Sequence, residues 1–221
     1  MLKEFAHLLK YPDENISHCA FQLIQDINKS FDQSEDSEIS EHLNVFYDYL
    51  KKTTLKEQEE VYTQTFEVQS ITTLDTGYIL FGDDYKRAEL LVNLNGEMTK
   101  HHIPTGTELS DYLPNILALL DAIQDFNLKE DLINHFVYPA VNKMILDFDA
   151  KIIEKKNEIY LKHQKALIEK SKEYKDIYVH VLFALKIFLE RKYNAHEVKV
   201  ESHSNGFLSS IEQEMNIEKL K

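Results

Sequence analysis

The chain has 221 residues and a formal charge of −13, with five glycines, four prolines and one cysteine. Its length suits one domain with a substantial core, and so few turn residues exclude a β-sandwich or barrel. The acidity disfavours nucleic acid and anionic membranes, whose phosphates need Lys and Arg, and favours a cationic partner.

The charge is uneven. Residues 1–50 carry ten acids against three lysines (Lys3, Lys10, Lys29), a local charge of −7. A lone cysteine, Cys19, cannot form an internal disulfide. The opening MLKEFAHLLKYPDE has no long apolar stretch and breaks at Pro12, so it does not read as a signal peptide. The most apolar run, Ile177 to Leu189, is about 13 residues, short of the roughly 20 that span a bilayer. These features predict a soluble, cytoplasmic protein with no stable membrane insertion.

The spacing of apolar residues predicts a first helix over Leu2–Lys10, ended by Tyr11-Pro12-Asp13 because Pro12 drives Tyr11 out of the helical region. A second helix follows from about Glu14 to Lys29, then a polar loop at 30–38. A third helix runs through Leu43, Phe46, Tyr47 and Leu50. Thr53 or Thr54 caps a fourth that carries Val61, Tyr62 and Phe66. Residues 68–82 hold β-branched side chains and Gly77, and predict a loop with a short extended or 3₁₀ portion.

Asp83 or Asp84 caps a helix through Leu90, Leu91, Leu94 and Met98, followed by a turn at His102–Thr107. The next helix contains Leu109, Leu113, Ile116, Leu117 and Leu120, with Pro114 in its first turn. A helix from Leu128 to about Asp147 must kink or restart at Pro139. Residues 150–172 read as a solvated helix. Tyr174–Tyr193, apolar nearly all round, reads as the central core helix. Residues 195–221 read as a polar tail with a candidate amphipathic helix at Leu208–Leu220. The expectation is an all-α, single-domain helical bundle over 1–194.

No catalytic, metal or cofactor site emerges. His101 and His102 are adjacent and diverge by about 100° on a helix. There is no HExxH, paired CxxC or GxSxG, and Gly82, Gly96 and Gly106 are isolated rather than grouped as a phosphate cradle. Cys19 lies among helical apolar residues, where a small buried thiol is expected. The Asp83-Asp84 pair is explained at least in part by capping.

Several segments share a different character. Tyr62-Thr63-Gln64-Thr65-Phe66-Glu67 resembles the YxxxFD helix end of the nitrate-reductase delta-subunit/TorD family. Phe81-Gly82-Asp83-Asp84-Tyr85-Lys86-Arg87-Ala88 is similar to that family's YGDxRxRG segment. Glu108-Leu109-Ser110-Asp111-Tyr112-Leu113-Pro114 resembles its ExPDHLP motif, with Ser110 and Tyr112 in place of the proline and histidine. Asn134 to Pro139 is similar to the HLLPW segment, and Leu8 to Asp13 to the LLxYPD opening. The likeness spans residues 2–192 in the expected order.

The resemblance implies an all-helical, cofactor-free chaperone. Such a protein binds the N-terminal leader of a molybdenum oxidoreductase catalytic subunit and holds it for cofactor insertion, assembly or twin-arginine export. Asp111 and then Glu108 are the expected partners of leader arginines through bidentate carboxylate pairs. Tyr62, Phe66, Tyr112, Leu113 and Pro114 would line an apolar groove, with Asp83, Asp84 and Arg87 shaping the adjacent helix start. Ordinary core packing is the competing expectation for Tyr62, Phe66 and Leu113. A small helical enzyme, a nucleotide-hydrolysing protein or a structural subunit of a redox complex are the alternatives. Both monomer and dimer stay open.

Overall fold

The computed structural model describes residues 1–31, 37–164 and 174–197. They form an all-α bundle whose β content, among these residues, is one isolated antiparallel bridge between Asp75 and Tyr112. The helices are α1 (Leu2–Leu8), α2 (Ile16–Ser30), α3 (Ser37–Lys52), α4 (Leu55–Phe66), α5 (Thr76–Phe81) and α6 (Tyr85–Lys100). They continue with α7 (Leu113–Ala122), α8 (Phe126–Leu132), α9 (Tyr138–Leu146), α10 (Ala150–Gln164) and α11 (Ile177–Tyr193). No helix among the described residues is long and apolar enough to cross a membrane.

α11 is the central helix. It buries Ile177, Tyr178, Val181, Leu182, Ala184, Leu185, Ile187, Phe188 and Leu189, and packs chiefly on α3, with α9 and α1 beside it. An apolar surface on all sides requires neighbours on all sides. α1 fills the gap between α2 and α7, and α5 lies against α6 and α9. Asn194, in the left-handed conformation (φ 54°, ψ 35°), ends α11, and the next N–H, that of Ala195, donates to the Leu189 carbonyl at 3.2 Å.

Local signals account for most boundaries. Thr54 caps α4 in a reciprocal box with Glu57. Asp84 caps α6 by accepting from the Lys86 N–H at 3.2 Å, and Pro114 sits in the first turn of α7. Asp125 starts α8 two residues before the expected Leu128, accepting from the Asn127 and Leu128 amides. The expected restart at Pro139 is present: α9 begins at Tyr138 with Pro139 in its first turn. α8 runs into α9 through a π-turn at Ile133–Val137, where the Tyr138 N–H reaches the Ile133 carbonyl. Widening the ladder just before the proline accommodates its ring and missing N–H.

Two expectations need correction. Residues 76–81 are helix rather than loop, because non-local bonds described below hold that turn. Leu109 lies outside α7 and is 50% exposed. At the start of the expected tail, Ala195 is buried and the His196 N–H bonds to Asn134 Oδ1. The remaining tail, 198–221, with the candidate helix at Leu208–Leu220, and the end of the expected solvated helix, 165–172, lie outside the described residues. α10 fits its solvated reading where described: no side chain from Ala150 to Lys162 is fully buried.

A histidine pair sits in the α3–α11 interface. His42 Nδ1 and His180 Nδ1 are 2.9 Å apart, and the His42 ring stacks on Phe183. Burial lowers both pKa values, with His42 adding to the effect at His180; Glu38 and Glu41 around His42 and Asp176 near His180 pull the other way. Protons therefore bind the unfolded chain more readily, and the contribution present above the unfolded value of about 6.5 is lost as pH falls through the lowered folded values. The thermal midpoint should drop between about pH 7.5 and 5.5, and by less in His42→Gln. Equal drops in the two proteins would refute this coupling.

Candidate functional site

Four of the segments singled out in the sequence converge in space. The 108–114 segment is pinned at nearly every residue. Ser110 Oγ donates to the Leu91 carbonyl of α6 at 3.1 Å. The Asp111 carbonyl accepts from both the Thr76 N–H (2.9 Å) and the Thr76 hydroxyl (2.7 Å). The Leu113 N–H donates to the Leu74 carbonyl at 2.8 Å. Asn115 Nδ2 reaches back to the Thr105 and Leu109 carbonyls, each at 3.3 Å. These bonds clasp α5 to the start of α7.

The Asp111 side chain lies under that clasp, 0% exposed. The Arg87 guanidinium meets it side-on, Nε to Oδ2 at 2.8 Å and a terminal nitrogen to Oδ1 at 3.4 Å. The same guanidinium reaches Asp75 Oδ2 at 3.2 Å and stands over the Tyr78 ring at 5.4 Å. One half-buried cation thus serves two carboxylates, and burial and then the nearby Asp111 raise the Asp75 pKa. Gly77 makes the approach possible: a Cβ there would lie 2.7 Å from Asp111 Oδ2 and 2.9 Å from Leu90 Cδ2.

A second layer is aromatic. The Tyr62 and Tyr112 hydroxyls bond each other at 2.8 Å, and both approach the Leu9 carbonyl, at 3.4 and 3.2 Å. Burial raises both phenol pKa values, that of Tyr112 to about 12, so they stay neutral. Phe66 and Tyr178 pack against Tyr62 at centroid distances of 5.0 and 5.7 Å. Tyr11, 51% exposed, stands edge-on to Tyr62 at 5.4 Å.

The residues expected to contact a partner therefore divide. Asp111, expected to receive a partner's arginine, receives Arg87 of its own chain. Tyr62, Phe66, Tyr112, Leu113 and Pro114 are buried, in keeping with the core alternative for Tyr62, Phe66 and Leu113. Glu108, Asp83 and Asp84 are exposed, as are Leu109 and Tyr85 beside them in sequence. The Ser110–Leu91 bond draws the Glu108–Leu109 turn against α6, whose N-terminus carries Asp83, Asp84 and Tyr85.

Asp75, Thr76 and Gly77 escaped the sequence reading. Their signal is slight: an Asp-Thr-Gly turn with no amphipathic period. The Asn134–Pro139 segment lies apart, where the Tyr138 hydroxyl donates to Glu190 at 2.6 Å. Cys19 is half-buried, and burial raises its pKa to about 11, which disfavours the nucleophilic thiolate. Among the described residues, no three His, Cys, Asp or Glu side chains are placed to hold a metal ion.

No family model matches the chain, and no curated protein matches it.

The clasp sets two stability expectations. Arg87→Ala leaves Asp111 buried without its cation and should cost about 3–5 kcal/mol. Removing Lys51 from its exposed pair with Asp48 should cost under about 1 kcal/mol. Urea denaturation of both variants measures the contrast, and equal losses would contradict it. Gly77→Ala should destabilise by roughly 1–3 kcal/mol from the forced contact. Gly96→Ala on α6, where a Cβ meets nothing within 4 Å, should instead gain about 0.5–1 kcal/mol. Opposite signs in thermal melts are the result to look for.

Proposed function

We propose that the protein is a cytoplasmic, cofactor-free chaperone of the delta-subunit/TorD kind. It captures the N-terminal leader of a molybdenum oxidoreductase catalytic subunit and holds that apo-subunit for cofactor insertion, assembly or export. The observation that carries this reading is the convergence of the LLKYPD, YTQTFE, FGDDYKRA and ELSDYLP segments, joined through Leu9, Tyr62, Arg87, Asp111 and Tyr112.

Those bonds face inward and stiffen the loops, leaving acids and apolar side chains at the surface. Glu108, Asp83 and Asp84 supply carboxylates for leader arginines, and Leu109, Tyr85 and Tyr11 supply apolar contact. Loops already held in place lose little entropy on binding, which favours affinity. Asp111 acts in this reading as a positioning residue, through Arg87 and Thr76, rather than as the contact itself.

Calorimetric titration with a synthetic molybdoenzyme leader tests the proposal. The double variant Glu108→Gln with Leu109→Ser should weaken binding about tenfold or more with an unchanged melting temperature. Asp111→Asn should lower affinity and melting temperature together. Wild-type affinity in the Glu108/Leu109 variant would remove these contacts from the site, and no binding of any leader would remove the function.

A further inference from the structure

Away from this rim, a groove of about 570 Å³ runs between the 70–79 segment, α9 and α10. Its volume falls within the range that holds small ligands, about 300–1,000 Å³. Ile79, Leu146 and Ile159 contribute apolar surface and Tyr78 an aromatic ring. Leu146 is 62% exposed and Tyr78 43%.

The polar groups on the wall are not equally engaged. Lys156 is committed, to Asp147 at 2.9 Å and to the Ile71 carbonyl. Tyr160 donates to the Ser70 carbonyl at 3.4 Å. Lys143 has no carboxylate within ion-pair distance among the described residues, and its one hydrogen bond is a long 3.5 Å contact with the Leu80 carbonyl. With Asp147 offset by Lys156, Lys143 leaves the groove net positive in a chain of charge −13.

Thr72 is the second observation. It lines the groove, is 2% exposed, and its hydroxyl has no hydrogen-bond partner among the described residues. A buried hydroxyl without a partner costs about 1–3 kcal/mol, a penalty that a ligand oxygen would relieve. An unpaired ammonium, an unpaired hydroxyl and an adjoining apolar wall suit one kind of molecule.

We propose that this groove binds a small organic anion. A carboxylate or phosphate head is held by Lys143 and Thr72, and a compact apolar body lies over Ile79 and Leu146. The site is independent of the leader-binding rim.

Titration calorimetry of the full chain with benzoate, phenyl phosphate and inorganic phosphate tests this. Benzoate or phenyl phosphate should bind saturably at millimolar concentration or below, and the tighter of the two identifies the preferred head. Inorganic phosphate, lacking the apolar body, should bind about tenfold more weakly. Lys143→Ala should weaken the organic anion about tenfold and Thr72→Val about threefold. Lys52→Ala, in the separate groove between α3 and the start of α11, should leave binding unchanged. Circular dichroism confirms that each variant folds. The proposal is overturned by absent saturable binding of both organic probes, by inorganic phosphate binding equally well, or by Lys143→Ala binding like the parent.

Discussion

A guanidinium shared between two carboxylates organises the irregular half of this molecule. Arg87 on α6 meets Asp111 before α7 and Asp75 before α5. It thereby ties together three helix starts. Asp111 is fully enclosed, and an enclosed carboxylate is tolerable only with its cation and hydrogen bonds in place. Its backbone carbonyl takes two further bonds from Thr76. One residue therefore fixes both the position of α5 and the path of the chain into α7.

The tyrosine layer links this clasp to the bundle. Tyr112 adjoins Asp111, so the charge pair and the Tyr62–Tyr112 bond reach opposite sides of one short stretch. α4 and the end of α1 are connected to the clasp through two hydroxyls and the Leu9 carbonyl. In a low-dielectric interior, such a fully partnered network gives geometric definition that apolar packing alone does not. The exposed Glu108–Leu109 turn is carried on that rigid support, an arrangement common where loops recognise partners.

Much of the fold was legible in the sequence because the relevant physics is local. Helical periodicity marked α2 and α3, an all-round apolar run marked α11, and Thr53 or Thr54, Asp83 or Asp84, and Pro114 marked helix starts through capping and proline geometry. α5 was illegible for the opposite reason. Nothing in Thr76–Phe81 favours helix strongly, and the bonds that hold it come from residue 111, 35 positions away. Leu109 was drawn into α7 by its spacing, but the helix begins only where Pro114 can occupy its first turn. At the site, the sequence displayed Asp111 and Arg87 as separate charges. Only the fold shows that they neutralise each other, which moves the exposed acidity to Glu108, Asp83 and Asp84.

The placement of α11 carries a consequence for the order of events during synthesis. The helix that the others surround is the last of the described helices along the chain. His42 and His180, neighbours in the finished interface, are separated by 138 positions. At ordinary elongation rates that interval is on the order of ten seconds. Throughout it, the apolar face of α3 lacks its principal cover. The 74–113 region is different, because its defining bonds span 24 and 35 positions and can close before α11 emerges. A nascent chain would thus hold its charged clasp while its hydrophobic centre still waits for α11, and in that interval it would itself be a natural client for general chaperones.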